Sequence, residues 1–213
     1  AVAYSLGANL LVKYLGEEGA HGNSPITCAV VVSNPWNFEG NHLNSKNING
    51  GFSNWEKIVG KVYSLVLTTG LKEYLKQFHQ RKDLQQRKDV DLNKAFFSYT
   101  LSEFDSAITV PMWGYKDLGD YHKKASSIRY LKYVKVPILC INAEDDPLVP
   151  SLLWPNVMEL ENKYSIFVTS KGGGHIGWCQ GINPLTGPSW ADLLIFKYFE
   201  TILQIMTNIM VIE

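Results

Sequence analysis

Ala3-Tyr4-Ser5-Leu6-Gly7 stands at the head of the chain, and the apolar-periodic run Ala8-Asn9-Leu10-Leu11-Val12-Lys13-Tyr14-Leu15 follows it at once. A serine between small residues, with a helix opening directly behind it, is the pattern of a nucleophile elbow. There a strand turns sharply into a helix and pushes the serine oxygen out into a cleft. The turn is strained, so small residues are expected two positions before and after the serine. Ala3 stands where glycine is usual. It adds one methyl, for which some steric strain is expected and no loss of the turn.

Two further segments follow in the order serine, acid, histidine. Val136-Pro137-Ile138-Leu139-Cys140-Ile141-Asn142-Ala143 is a short apolar run, as expected for a strand buried on both faces of a parallel sheet. It leads into Glu144-Asp145-Asp146-Pro147-Leu148-Val149-Pro150, an acidic turn punctuated by two prolines, from which a carboxylate projects at the strand end. The third segment, Ser170-Lys171-Gly172-Gly173-Gly174-His175-Ile176-Gly177-Trp178, comes after the β-rich run Tyr164 to Thr169. Its glycines let the loop fold tightly enough to bring an imidazole back over the sheet edge.

With Ser33-Asn34-Pro35-Trp36-Asn37-Phe38, Ala143 to Pro150 and Gly173 to Trp178, the chain resembles the abhydrolase-domain esterases and lipases. The branch it is most similar to holds the plant embryogenesis-associated and monoacylglycerol-lipase-like hydrolases. The resemblance runs over nearly the whole chain and is weakest between about 40 and 100. It implies an α/β-hydrolase fold, a mostly parallel sheet with helices on both faces. It further implies Ser5 as nucleophile, His175 as base and Asp146 as acid, with the backbone N–H of Leu6 as one oxyanion donor. Asp146 is preferred because it directly precedes Pro147-Leu148-Val149-Pro150, the turn that follows the acid in this fold. Asp145 stays the alternative, capping the next helix or facing solvent if Asp146 is the acid, and Glu144 is third.

Composition is that of one ordinary globular domain: 213 residues, 46% hydrophobic, 19% charged, with zero formal net charge. Balanced charge gives no long-range attraction to nucleic acid. Cys28, Cys140 and Cys179 lie far apart, and no disulfide framework or zinc spacing follows. Cys28 and Cys140 sit in apolar runs, as small buried hydrophobes do. A reducing compartment is the preference. No cofactor or metal is expected, and no apolar run is long enough to span a membrane.

Along the chain, residues 8–18 read as a helix with Leu10, Leu11, Tyr14 and Leu15 on one face. Residues 19–25 read as a loop, 26–32 as a buried strand and 40–53 as an Asn/Gly-rich loop. Residues 54–80 carry Trp55, Ile58, Val59, Val62, Tyr63, Val66, Leu67, Leu71, Tyr74, Leu75 and Phe78 at helical spacing, broken near Gly70. Strands return at 137–142 and 164–169, and a closing helix is expected over 189–206. The alternation means a parallel sheet. The helical stretch 40–105 is expected to be a cap insertion. Its apolar stripe is expected to pack the cap onto the body, with lining an acyl pocket as the alternative. The charge run from Lys72 to Lys94 reads as a solvated face, with membrane-surface contact the alternative. His21, His42, His79 and His122 read as ordinary surface histidines. The start at Ala1, four residues before Ser5, is read as that of the C-terminal part of a larger hydrolase whose earlier strands are missing.

The expected activity is cleavage of carboxylic esters of lipids or short acyl chains through an acyl-enzyme intermediate, with a small-molecule or lipid ester as partner. A non-catalytic binding module of the same fold, or an acyltransferase, is the competing expectation.

Overall fold

Val2–Tyr4 (β1), Ala29–Val32 (β2), Ile138–Ala143 (β3) and Ser165–Ser170 (β4) pair into one parallel sheet in the order β1-β2-β3-β4. The computed structural model describes residues 1–39, 54–79, 87–155, 162–180 and 187–212. The expected 40–53 loop, with His42, lies outside them, as does part of the Lys72–Lys94 charge run. Register is set by Val2 opposite Val30, Ala29 opposite Ile138 and Ile138 opposite Ser165.

β2 and β3 are buried at every residue, which is why their sequences are unbroken apolar runs. Alternate side chains leave opposite faces. Ala29, Val31, Ile138 and Cys140 join Ala8, Val12 and Leu15 of helix α1 (Ser5–His21) in one core. Val30, Val32, Leu139 and Ile141 meet Ala191 and Ile195 of helix α7 (Trp190–Ile212) in the other. Each Val or Ile so withdrawn from water contributes roughly 1.5–3 kcal/mol. The sheet therefore carries α1 and α7 on opposite faces. Cys140 is buried in the first core, Cys28 is half-buried and Cys179 exposed.

Helix α1 departs from expectation at both ends and on its buried face. It starts at Ser5 and runs through Gly19 to His21, where Gly22 caps it in the left-handed conformation with φ 74°. Leu10 and Tyr14, expected inside, are exposed; the buried line is Ala8, Val12, Leu15, Gly16 and Gly19. Glycine is needed there because a Cβ on Gly16 or Gly19 would run into the carbonyl oxygen of Tyr130 or Tyr133. A residue that looked like a loop-former is a close-packing site. Strand β2 is shorter than expected, beginning at Ala29.

Between β2 and β3 the described elements are all helical. They include α2 (Asn54–His79), α3 (Leu92–Phe96), α4 (Leu101–Phe104), α5 (Val110–Met112) and α6 (Leu118–Ala125). Thr100 and Glu103 form a reciprocal capping box that starts α4. A π-helical turn, Asp105–Thr109, joins α4 to α5. Pro111 follows it; a proline lacks an N–H and its ring presses on the carbonyl four residues back, which favours a widened turn.

Helix α2 corrects one expectation. It is unbroken at Gly70, since one glycine costs a helix only about 1 kcal/mol. Of its apolar stripe, Ile58, Val62, Tyr63, Val66, Leu67, Leu71 and Tyr74 are exposed, while Gly60, Ser64, Thr68 and Leu75 on another face are buried. The small face wins because it admits partners closely. Ser64 Oγ accepts the Leu101 N–H at 3.2 Å and Thr68 returns its hydroxyl to Ser64 O at 2.6 Å. Lys72, expected in a solvated run, is half-buried and donates to Ser98 O at 2.8 Å.

The chain divides into two compact units, residues 1–36 with 127–213, and residues 37–126. The second unit contains the stretch 40–105 that the sequence marks as helical. Among the described residues no helix is long and apolar enough to cross a membrane.

Candidate active site

Three strand ends supply the site. At the first, Tyr4 is still extended (φ −123°, ψ 145°), and Ser5 swings to φ 48° before the chain enters α1. A non-glycine residue in this region costs of order 1–3 kcal/mol, which a serine held at a sharp strand-to-helix turn bears. Leu6, as the second helical residue, has no carbonyl four residues back within the helix, so its N–H points out at the positive end of the α1 dipole. Ala3 packs against the core, so its extra methyl has a place. The small residue at Gly7 has no such steric cause: a Cβ there would meet nothing within 4 Å.

The second end is the turn after β3. Asp146 is buried, and its Oδ1 accepts the N–H groups of Leu148 at 2.8 Å and Val149 at 3.1 Å. Its Oδ2 lies 2.9 Å from His175 Nδ1. On the other side of the ring, His175 Nε2 is 2.9 Å from Ser5 Oγ. An ionised carboxylate can only accept, so the proton of a neutral His175 sits on Nδ1 and Nε2 keeps a lone pair for the Ser5 hydroxyl. Serine, histidine and aspartate are thus linked in one line, through residues 170 positions apart at the serine–histidine contact.

Of the neighbouring acids, neither Asp145 nor Glu144 meets the ring. Glu144 is exposed and its N–H bonds Ser170 O at 2.8 Å, tying the end of β3 to the end of β4. Asp145 is exposed, yet it neither caps a helix nor merely faces water: its Oδ1 accepts the Gly174 N–H at 2.8 Å. That bond was not legible in the sequence, because the two residues are 29 positions apart.

The third end is the loop after β4, which holds four left-handed residues: Gly173 (φ 156°), Gly174 (φ 56°), Ile176 (φ 66°) and Trp178 (φ 44°). A Cβ on Gly173 would run into the Trp178 indole. Trp178 is buried and donates its Nε1–H to Ser170 Oγ at 2.7 Å, while Gly173 O accepts the N–H groups of Gly177 and Trp178 at 2.9 and 3.2 Å.

Among the other histidines, His21 is exposed as expected. His122 is not a surface residue: it is buried against the rings of Phe38 and Tyr121, since its place on α6 turns it inward despite the charged neighbours Lys123 and Lys124. Burial pulls its pKa below the usual value. The side chains of His42 and His79 lie outside the described residues. Among those residues no group of three or more His, Cys, Asp or Glu side chains gathers in a way that holds a metal.

The sequence is similar to several proteins of longer chain length. Embryogenesis-associated protein EMB8 of Picea glauca is 34% identical over 208 residues, covering 95% of this chain and 42% of that protein. Monoacylglycerol lipase ABHD2 of Homo sapiens is 29% identical over 215 residues, covering 95% and 48%. Phospholipase ABHD3 of Mus musculus is 33% identical over 184 residues, covering 86% and 41%. The chain spans about half the length of these relatives. Residues 1–178 match the alpha/beta hydrolase fold family, and with its parallel sheet flanked by helices the chain belongs to that family.

Proposed function

We propose that this protein is a serine hydrolase that cleaves carboxylic esters of lipids or short acyl chains. Ser5 is the nucleophile, His175 the general base and then acid, and Asp146 the residue that holds His175. The observation that supports this most is the position of the His175 ring, 2.9 Å from Ser5 Oγ on one side and 2.9 Å from Asp146 Oδ2 on the other. The relatives named as a monoacylglycerol lipase and a phospholipase support a lipid ester as substrate.

The chemistry follows from the residues. A serine hydroxyl is a weak nucleophile at neutral pH until a base takes its proton. His175 Nε2 accepts that proton as Ser5 Oγ bonds to the ester carbonyl carbon, and Asp146 stabilises the imidazolium that results. The carbonyl oxygen, now negative, is stabilised by the Leu6 N–H; one such donor is worth roughly 10²–10³ in rate. As the tetrahedral intermediate collapses, His175 returns the proton to the departing alcohol and leaves an acyl-Ser5 ester. Water, deprotonated by His175, then attacks that ester, and Ser5 regains its proton as the acid departs. The helical unit 37–126 is assigned to the cap of the fold, on its place in the chain between β2 and β3.

A fluorophosphonate probe reacts only with an activated serine. Peptide mass spectrometry of the labelled protein is expected to find the phosphonate on Ser5. Label on no serine would favour a non-catalytic module of this fold.

A further inference from the structure

Two carboxylates stand side by side after β3, and they reach different parts of one loop. Asp146 meets the His175 ring at Nδ1. Asp145 meets the backbone one residue earlier, at the Gly174 N–H, 2.8 Å from its Oδ1. We propose that Asp145 is a positioning residue for His175: it clamps the histidine loop by its backbone while Asp146 holds the ring. This rests on the triad reading above for its effect on catalysis, though the clamp itself does not.

The loop needs a clamp for a physical reason. Of the six residues from Gly173 to Trp178, four sit at positive φ, two of them non-glycine. Such a backbone persists only where its surroundings over-determine it. At the loop's far end they do, since the Trp178 indole is buried and bonded to Ser170 Oγ, and Ser170 Oγ donates in turn to Gly172 O at 2.8 Å. The Gly177 and Trp178 N–H groups both return to Gly173 O, which closes the loop on itself. Those bonds fix its curvature, while the Asp145 bond ties Gly174, and with it the Cα of His175, to the strand end that also carries Asp146. An N–H to an ionised carboxylate is among the stronger hydrogen bonds. Ring and backbone thus take their position from two consecutive residues of one turn. A misplacement of about 1 Å at a reacting group costs up to about 10²-fold in rate.

The role has a signature that separates it from a charge effect. Asparagine keeps an acceptor oxygen for the Gly174 N–H and removes the charge; alanine removes both. If Asp145 acts by holding the backbone, Asp145→Asn retains function and Asp145→Ala does not. If it acts only by its charge on His175, the two variants behave alike.

The test measures fluorophosphonate labelling of Ser5 over pH 5–9 together with amide hydrogen exchange of the peptide 170–180, in the wild type, Asp145→Ala and Asp145→Asn. Expected is labelling about tenfold or more slower in Asp145→Ala, reaching full stoichiometry in the end, and within about threefold of wild type in Asp145→Asn. Exchange of the loop peptide rises in Asp145→Ala and stays near wild type in Asp145→Asn. Labelling at the wild-type rate in Asp145→Ala, or equal slowing in both variants, overturns the proposal. Absence of label on Ser5 in the wild type sinks the triad reading alone; loop exchange then decides the clamp by itself, and equal protection in all three proteins overturns it.

Discussion

Each unit withdraws a histidine and an aspartate from water, and the two pairs are treated differently. In the α/β unit, Asp146 is buried under two backbone N–H donors and faces the His175 ring at 2.9 Å. In the helical unit, Asp105 accepts only the Thr109 hydroxyl among the described residues, at 2.6 Å, and burial pushes its pKa up to about 6. His122 lies among aromatic rings, and its Nε2 has no hydrogen-bond partner among the described residues. The same residue types are thus aligned with a serine hydroxyl in one unit and left short of partners in the other. The difference is one of partners: burial disfavours a charge unless a complementary group faces it. Strand ends converge on one edge of a parallel sheet, so three loops bring polar groups together there. The π-helical turn Asp105–Thr109 and helix Leu118–Ala125 carry Asp105 and His122 among the buried Phe104, Ala107, Ile108 and Ala125.

The contrast breaks most sharply at Ser5. Ser5→Ala is expected to remove ester turnover by about 10⁶-fold while leaving the thermal melt near wild type. Hydrolysis of p-nitrophenyl acyl esters close to the wild-type rate would show that the relay in the α/β unit does no chemistry.

Next in size is the acid. Asp146→Asn is expected to lower kcat by up to about 10⁴-fold, because an amide donor facing Nδ1 imposes the wrong tautomer. The protein should stay folded, since the Leu148 and Val149 N–H groups keep an acceptor. A loss larger for Asp145→Asn than for Asp146→Asn would reverse the roles of the two neighbours.

The helical unit is expected to answer in stability, with the opposite sign. The folded pKa of Asp105, about 6, lies above its ordinary 3.8, so the native state favours the neutral acid. That contribution is intact below about pH 4 and is lost as pH rises through 6. Asp105→Asn, neutral at every pH, is therefore expected to stabilise the protein by about 1–2 kcal/mol at pH 8 and by almost nothing at pH 4. Equal shifts in melting temperature at the two pH values would mean that Asp105 is not a buried, unpaired acid.

The smallest effect belongs to His122. Burial lowers its pKa from 6.5, with Glu39 opposing in part, so its neutral form is the native one. Its contribution is complete above pH 6.5 and falls away as pH drops through the depressed value. In an Asp105→Asn background, His122→Phe is expected to flatten the remaining loss of stability between pH 6.5 and 4.5, a change below about 1 kcal/mol. An unchanged slope would place that loss elsewhere.

Much of this architecture is legible in the sequence alone. Ile138 to Ala143 and Ala29 to Val32 read as strands because both faces of a central strand are buried, which leaves an unbroken apolar run whatever the neighbours are. Ser5, Asp146 and His175 were legible as a motif order supported by resemblance, each after a strand-like run. Helix Asn54–His79 was legible as a helix, but the direction of its apolar stripe was not. Periodicity tells which residues share a face; it does not tell which face meets a partner.

What the sequence by itself determined is therefore the parallel sheet, the helices between its strands and the chain order of the three site residues. These rest on local composition and on the period of the pattern. Only the tertiary structure decided that Gly16 and Gly19 belong inside a helix, that His122 is buried, and that Asp145 holds the Gly174 N–H. Each depends on what lies opposite across tens or more than a hundred residues of chain, and that surface exists only once the strands have paired and the helices have docked.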